Sequence, residues 1–203
     1  MRGRPRGFDR DAALLTATRL FWARGYDGTS LSDLTAAMGI SPSSFYAAFG
    51  DKKSLFAEAV QGYMQRYTAI YIEAVRSETA REAAERILRD SADEFTDENR
   101  PMSCLVVRAA IQGGADTIDV RKTLEEHQRA LAAVLAERID EDKKAGRLSA
   151  DVDAAILAEW VRTLWEGLSN QSNAGVPRVR LHEIITLAMR GWPRSTSSAG
   201  DRE

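Results

Sequence analysis

Residues 29–55 read TSLSDLTAAMGISPSSFYAAFGDKKSL: two short helical patterns meet at Gly39, and an aromatic-rich close leads into a third. In the first, Leu31, Leu34 and Met38 recur on one face, and Ser30 before them supplies an oxygen for the orphan N–H groups of a helix start. This pattern predicts a scaffold helix. Gly39 provides the positive φ that a sharp turn between packed helices needs, Ile40 plugs the corner, and Ser41 caps a new helix that opens on Pro42. The new element, about seven residues long, turns Phe45 and Phe49 inward at i and i+4. Ser43, Ser44 and Ala47 are left on its other side, with Tyr46 along one flank. Small polar residues at an exposed helix start suit close approach to base edges and phosphates. Asp51 follows as a cap for the next helix. Lys52 offers an ammonium and a helix-start N–H to a phosphate, while Lys53 reads as its solvated neighbour. Contacts from that helix start hold a reader in place on a duplex without specifying bases.

Composition bounds the rest. At 203 residues and 44% hydrophobic, the chain can bury an ordinary core as one domain or two small ones. Residues 1–55 carry a net charge of +3 and the remainder −5, so the basic end is the nucleic-acid end. No apolar run approaches the ~20 residues that span a bilayer, and no apolar stretch of the signal-peptide kind follows the basic N-terminus. A cytoplasmic protein without membrane partners is expected. The lone Cys104 has no intrachain partner, which fits a reducing compartment. His127 and His182 lack metal-site spacing, and no metal or cofactor is expected.

Residues 1–8 (MRGRPRGF) have almost nothing to bury and predict a mobile arm. Arg4 and Arg6, with Arg2, flank Pro5 in the manner of arms that enter a narrow minor groove. A helix from Asp9 to Arg24 follows, with Leu14, Ala17, Thr18 and Phe21 on one face and Gly25 as a left-handed C-cap. From Lys52 to about Arg76 the pattern runs unbroken, a helix of ~25 residues and nearly 40 Å at ~1.5 Å per residue, long enough to act as a lever between two regions. Further helices are expected at about 79–96, 102–112, 117–144, 154–172 and 179–190, with Asp153 capping the penultimate one. No stretch alternates like a strand, and the residues after Pro193 read as disordered. The fold class is all-α.

The stretch LLTATRLFWARGYDGTSLSDLTAAMGISPSSFYAAFGDKKSLF (residues 14–56) resembles the N-terminal region of TetR-family transcriptional regulators, in the order and spacing of Phe21, Gly25-Tyr26, Thr29, Gly39, Ser41, Tyr46, Phe49, Lys52 and Leu55. Beyond residue 60 the likeness is weaker: helix count, Ser-Cys-Leu-Val-Val after Pro101, and the run AGRLSADVD before a long helix. Thr35 stands where the family commonly has Ala, and Ala47 where a larger side chain often touches DNA. The resemblance implies a three-helix helix-turn-helix domain with a basic arm (1–55), joined by the long helix to a larger helical domain (56–193) that dimerises and holds a small-molecule effector, then a disordered tail (194–203). It implies that Thr29 and Ser30 meet the DNA backbone, that Ser41, Tyr46 and Lys52 hold phosphates, and that Pro42, Ser43 and Ser44 face bases.

For the larger domain, Tyr63, Tyr67 and Tyr71 recur every four residues on the lever helix, a stripe that suits core packing or a cavity wall. Tyr67, Tyr71, Met102, Arg108, Trp160 and Leu164 are the candidate effector residues. Arg108 pairs at i, i+4 with Gln112, either for a polar effector head or as a solvent-facing pair. Val161, Trp165, Leu168, Leu181, Ile184, Ile185 and Ala188 are the candidate dimer face, a four-helix interface between two copies. Cys104 reads as a small buried thiol; redox sensing is the rival reading. An enzyme is not expected: there is no phosphate-cradling Gly loop and no Glu-x-x-His pair. The expected function is a homodimeric regulator, a repressor released by an unidentified effector from a near-palindromic double-stranded DNA operator. The alternative is a dimeric helical small-molecule-binding protein without operator control.

Overall fold

The computed structural model describes residues 8–98, 105 and 117–194, and among these the regular structure is entirely helical. In chain order the helices are α1 (Arg10–Arg24), α2 (Leu31–Met38), α3 (Pro42–Phe49), α4 (Lys52–Val75), α5 (Ala80–Phe95), α6 (Ile118–Lys144), α7 (Ala154–Asn173) and α8 (Arg178–Met189). The segment expected to be helical at 102–112 lies outside the described residues apart from Leu105, which is helical and buried. The chain divides into two compact units, residues 1–66 with 98–124 and residues 67–97 with 125–203.

In the first unit side-chain caps start the helices, those of Ser30 and Ser41 as the sequence foresees and that of Asp9 beyond it. Asp9 accepts from the N–H groups of Asp11 and Ala12, and Ser30 forms a capping box with Asp33. Ser41 accepts from the N–H of Ser44, the third residue of the helix that Pro42 opens. That helix has eight residues rather than seven. Gly39 adopts φ 66°, ψ 32°, the left-handed conformation that costs an L side chain strain. Gly25 differs from expectation: its φ of 75° is positive but its ψ is 173°, so the chain leaves α1 extended instead of coiling back. An edge-to-face aromatic core packs α1 on α4, with Phe21–Phe56 and Trp22–Tyr63 centroids each 5.0 Å apart. Lys53 pairs with Asp119 at the start of α6 at 2.8 Å.

The second unit packs α5 against α7 and α8. Ile87, Leu88 and Phe95 of α5, Val161 and Leu168 of α7, and Leu181, Ile185 and Met189 of α8 form much of its core. A polar knot pins its corner. The buried Asp142 carboxylate accepts from Arg138 Nη1 and Arg147 Nη2, each at 2.7 Å, and from the Ala80 N–H at 2.8 Å, so it helps Thr79 cap α5. Arg138 also donates to the carbonyls of Ser77 and Glu78. Two parts of the chain distant in sequence, residues 77–80 and 138–147, are thereby fixed together.

Candidate nucleic-acid interface

α3 presents a face made from its own periodicity. Phe45 and Phe49 are buried, so the opposite side carries Pro42, Ser43 and Ala47 exposed, with Tyr46 54% exposed. At the helix start Ser41 Oγ lies 2.9 Å from Ser43 Oγ and donates to Ser44 Oγ at 3.0 Å. Three hydroxyls therefore cluster where the helix dipole is positive and several N–H groups lack intrahelical partners. Hydroxyls that satisfy one another in the free protein can each turn to an acceptor, which is the chemistry a phosphate or a base edge requires.

The other candidates divide. Ser30 is exposed, although its hydroxyl is engaged with Asp33 in the capping box. Thr29 is 0% exposed and donates its hydroxyl to the Gly25 carbonyl at 2.8 Å. Its side chain holds the turn between α1 and α2 and is not presented to DNA, which corrects the expectation for this residue. Lys52 lies with Nζ 4.0 Å from the centroid of the Tyr26 ring, a parking place an ammonium leaves cheaply for a phosphate. Arg4 and Arg6 lie outside the described residues.

One residue at this interface escapes sequence reasoning. Arg10, first in α1, forms a two-pronged pair with Glu58 of α4 at 2.6 and 2.7 Å and reaches the Ala48 carbonyl in the last turn of α3 at 3.4 Å. The pairing with Arg10 holds the Glu58 carboxyl below the usual carboxylate range. The available signal is a cation in the first turn of a helix, where the dipole disfavours it.

In the second unit several candidate effector and dimer residues pack within the chain. Trp165, assigned to the dimer face, turns inward: its Nε1–H donates to Ser91 Oγ at 2.9 Å and its ring meets Phe95 and Tyr67 edge-on. Trp160, assigned to the effector, has its ring centroid 6.3 Å from that of Trp192, three residues past the end of α8. Tyr67 is buried and stacked on Phe95, and Leu164 is half-buried. Burial, aided by the charge of Glu159, pushes the half-buried Tyr71 hydroxyl well above its ordinary pKa. Met102, Arg108 and Cys104 lie outside the described residues. A cavity of about 440 Å³ opens in this unit among Glu73, Asp90, Asp93 and Asp97, with Arg86 and Arg178; none of the candidate effector residues lines it.

Val161, Leu168, Leu181 and Ile185 are buried within their own subunit, because each points into the packing of α5, α7 and α8. Of the candidate dimer residues Ile184 is exposed and Ala188 half-buried. Exposed beside them are Ile156 of α7 (69%) and Val179 and Leu187 of α8 (66% each). Among the described residues no group of His, Cys, Asp or Glu is arranged to hold a metal ion, and no helix is long and apolar enough to cross a membrane.

A scaffold helix, a turn on a left-handed glycine and a second helix with a hydroxyl-lined start define a helix-turn-helix DNA-binding protein. The comparisons with known proteins agree. The family model of bacterial regulatory proteins, tetR family, matches residues 13–59, and that of the tetracyclin repressor-like C-terminal domain matches residues 83–184. The chain belongs to the TetR family and is a DNA-binding transcriptional regulator. Similar proteins include the HTH-type transcriptional repressor ComR of Escherichia coli (strain K12), 31% identical over 95% of this chain and 92% of ComR. The regulator YezE of Bacillus subtilis (strain 168) is 28% identical over 92% of this chain and 98% of YezE. Among solved structures, a cysteine mutant of the TetR family regulator CifR complexed with 26-bp double-strand operator DNA has a TM-score of 0.87 at 40% identity, covering 94% of this chain and 100% of that one.

Proposed function

We propose that the protein is a cytoplasmic homodimeric repressor that holds a near-palindromic operator through two copies of α3 and releases it on binding a small molecule. The observation that carries this reading is the exposed hydroxyl cluster of Ser41, Ser43 and Ser44 beside Tyr46, on a helix anchored from behind by Phe45 and Phe49. Residues 1–55 read DNA, 56–193 dimerise and sense, and 194–203 form a tail. Repression follows the relatives, ComR among them, which is itself a repressor. Two readers related by a two-fold axis enter successive major grooves about 34–36 Å apart. Release requires an effector with unequal affinity for the DNA-competent and incompetent shapes; a difference of ~3 kcal/mol alters operator affinity by about two decades.

Ser41, Tyr46 and Lys52 hold phosphates, and Pro42, Ser43 and Ser44 face bases. Titration against the DNA flanking its own gene and against random duplex, across a range of salt, tests the division of labour. Lys52→Ala and Tyr46→Phe are expected to weaken binding to both duplexes alike, Lys52→Ala reducing the salt slope by ~0.9. Ser44→Ala is expected to alter base preference with the slope unchanged. Equal affinities and slopes for wild type and Lys52→Ala would rule out its phosphate role.

A further inference from the structure

We infer that Arg10 is a positioning residue for base reading: with Glu58 as its counter-anchor it sets the pose of α3, and so governs discrimination between operator and other DNA. The inference rests on the reading of α3 as the base-contacting helix.

One planar guanidinium touches three helices. It belongs to α1, its Nη1 and Nη2 donate to the two Glu58 oxygens on α4 at 2.6 and 2.7 Å, and Nε and Nη2 both approach the Ala48 carbonyl of α3 at 3.4 Å. The group also lies 4.8 Å from the centroid of the Phe49 ring, the next residue of α3. Most of the N–H donors of Arg10 are therefore aimed at protein acceptors, and its charge is matched by a carboxylate, which leaves it poorly equipped to serve as a phosphate ligand. The acceptor it chooses on α3 is in the last turn, where helix carbonyls lack partners and the dipole favours a cation.

α3 has only eight residues, and its anchors Phe45 and Phe49 lie on one face. Two aromatic anchors resist withdrawal from the core but leave rotation about the line joining them weakly fixed. A rigid fork gripping the C-terminal end removes that freedom, and an end held there fixes the direction of the serine-lined start. Base-edge hydrogen bonds tolerate misplacement of only about 0.5 Å, whereas attraction to phosphates falls slowly with distance. Loss of the fork should thus harm sequence reading much more than general binding to DNA.

The test uses the full-length chain with Arg10→Met, which keeps the aliphatic stem, and Glu58→Gln, which leaves α1 untouched. Each is titrated on operator and random duplex across salt, at temperatures where circular dichroism shows it folded. Both are expected to lose operator affinity about tenfold, with random-duplex affinity and its salt slope unchanged. The double variant should be no worse than Arg10→Met alone, as for two halves of one device. A parallel loss on both duplexes with a slope reduced by ~0.9 would make Arg10 a phosphate ligand and overturn the inference. Tighter binding of Glu58→Gln to both duplexes would overturn it too, since removing a negative charge would then be all that mattered. So would unchanged operator affinity in both folded variants. A wild type that binds operator and random duplex equally would defeat the underlying reading of α3, an outcome visible before any variant is made.

Discussion

Asp142 sets the clearest single-residue test of stability. Burial pushes its carboxyl pKa up, yet the hydrogen bonds from Arg147 and the Ala80 N–H and the charges of Arg138 and Arg147 outweigh this, and the net shift is downward. A folded-state pKa below the unfolded value of ~3.9 means the contribution is complete above that pH and is lost as pH falls through the folded value. Asp142→Asn leaves two guanidiniums facing a neutral amide and is expected to cost about 3 kcal/mol near neutral pH. That corresponds to a fall in Tm of ~6–12 °C for a chain of this size. Melting curves from pH 7 down to 3 should show the gap between wild type and variant narrowing once the pH drops below ~3.9; a gap that stayed constant would mean that the knot acts by shape and not by charge. The same residue marks the limit of reading a sequence. Ser30, Ser41 and Asp153 are legible as caps because each acts on an N–H only three residues away. Arg10 with Glu58 and Trp165 with Ser91 lie 48 and 74 residues apart, so their pairing exists only once the helices have packed.

At the scale of elements, helix positions follow from periodicity and punctuation, which is why α1 to α5 and α6 to α8 fall close to the ranges expected from the sequence. Facing is harder to foresee on a helix with apolar residues nearly all round. α7 carries Ile156, Trp160, Val161, Leu164, Trp165 and Leu168, and spacing alone does not say which of these meet α5 and which meet solvent. Turns are the opposite case, since backbone geometry decides them. A Cβ at Gly39 would meet nothing within 4 Å, so Gly39→Ala should cost only the ~1–2 kcal/mol of left-handed backbone, and Gly39→Asn less. At Gly28 a Cβ would stand 2.4 Å from the Arg24 carbonyl oxygen, the end of α1, and backbone must yield. Gly28→Ala is therefore expected to destabilise more than Gly39→Ala in urea unfolding. The reverse order would show that the α1–α2 turn relaxes more readily than its packing suggests.

For the whole molecule the open question is what covers α7 and α8. Ile156, Val179, Ile184 and Leu187 stand exposed on these two helices of one unit, while Leu181, Ile185 and Met189 on the inner side of α8 are buried. A helix apolar on both sides has two neighbours to satisfy, and among the described residues only the inner ones are supplied by the chain itself. A second copy related by a two-fold axis would bring the same four residues to the same face and make a self-complementary four-helix contact. Leu187→Glu would place a charge in that contact but at a site 66% exposed within the subunit, so the subunit's own packing should change by less than ~0.5 kcal/mol. Sedimentation should show wild type as a dimer and the variant as a monomer, and only the wild-type Tm should rise with protein concentration. On DNA the monomer keeps one reader: random-duplex binding at low salt persists with about half the salt slope, while operator affinity collapses because the second half-site no longer binds intramolecularly. A variant that remained dimeric, with Val179→Glu equally without effect, would place the contact on another surface and leave this apolar face unexplained by self-association.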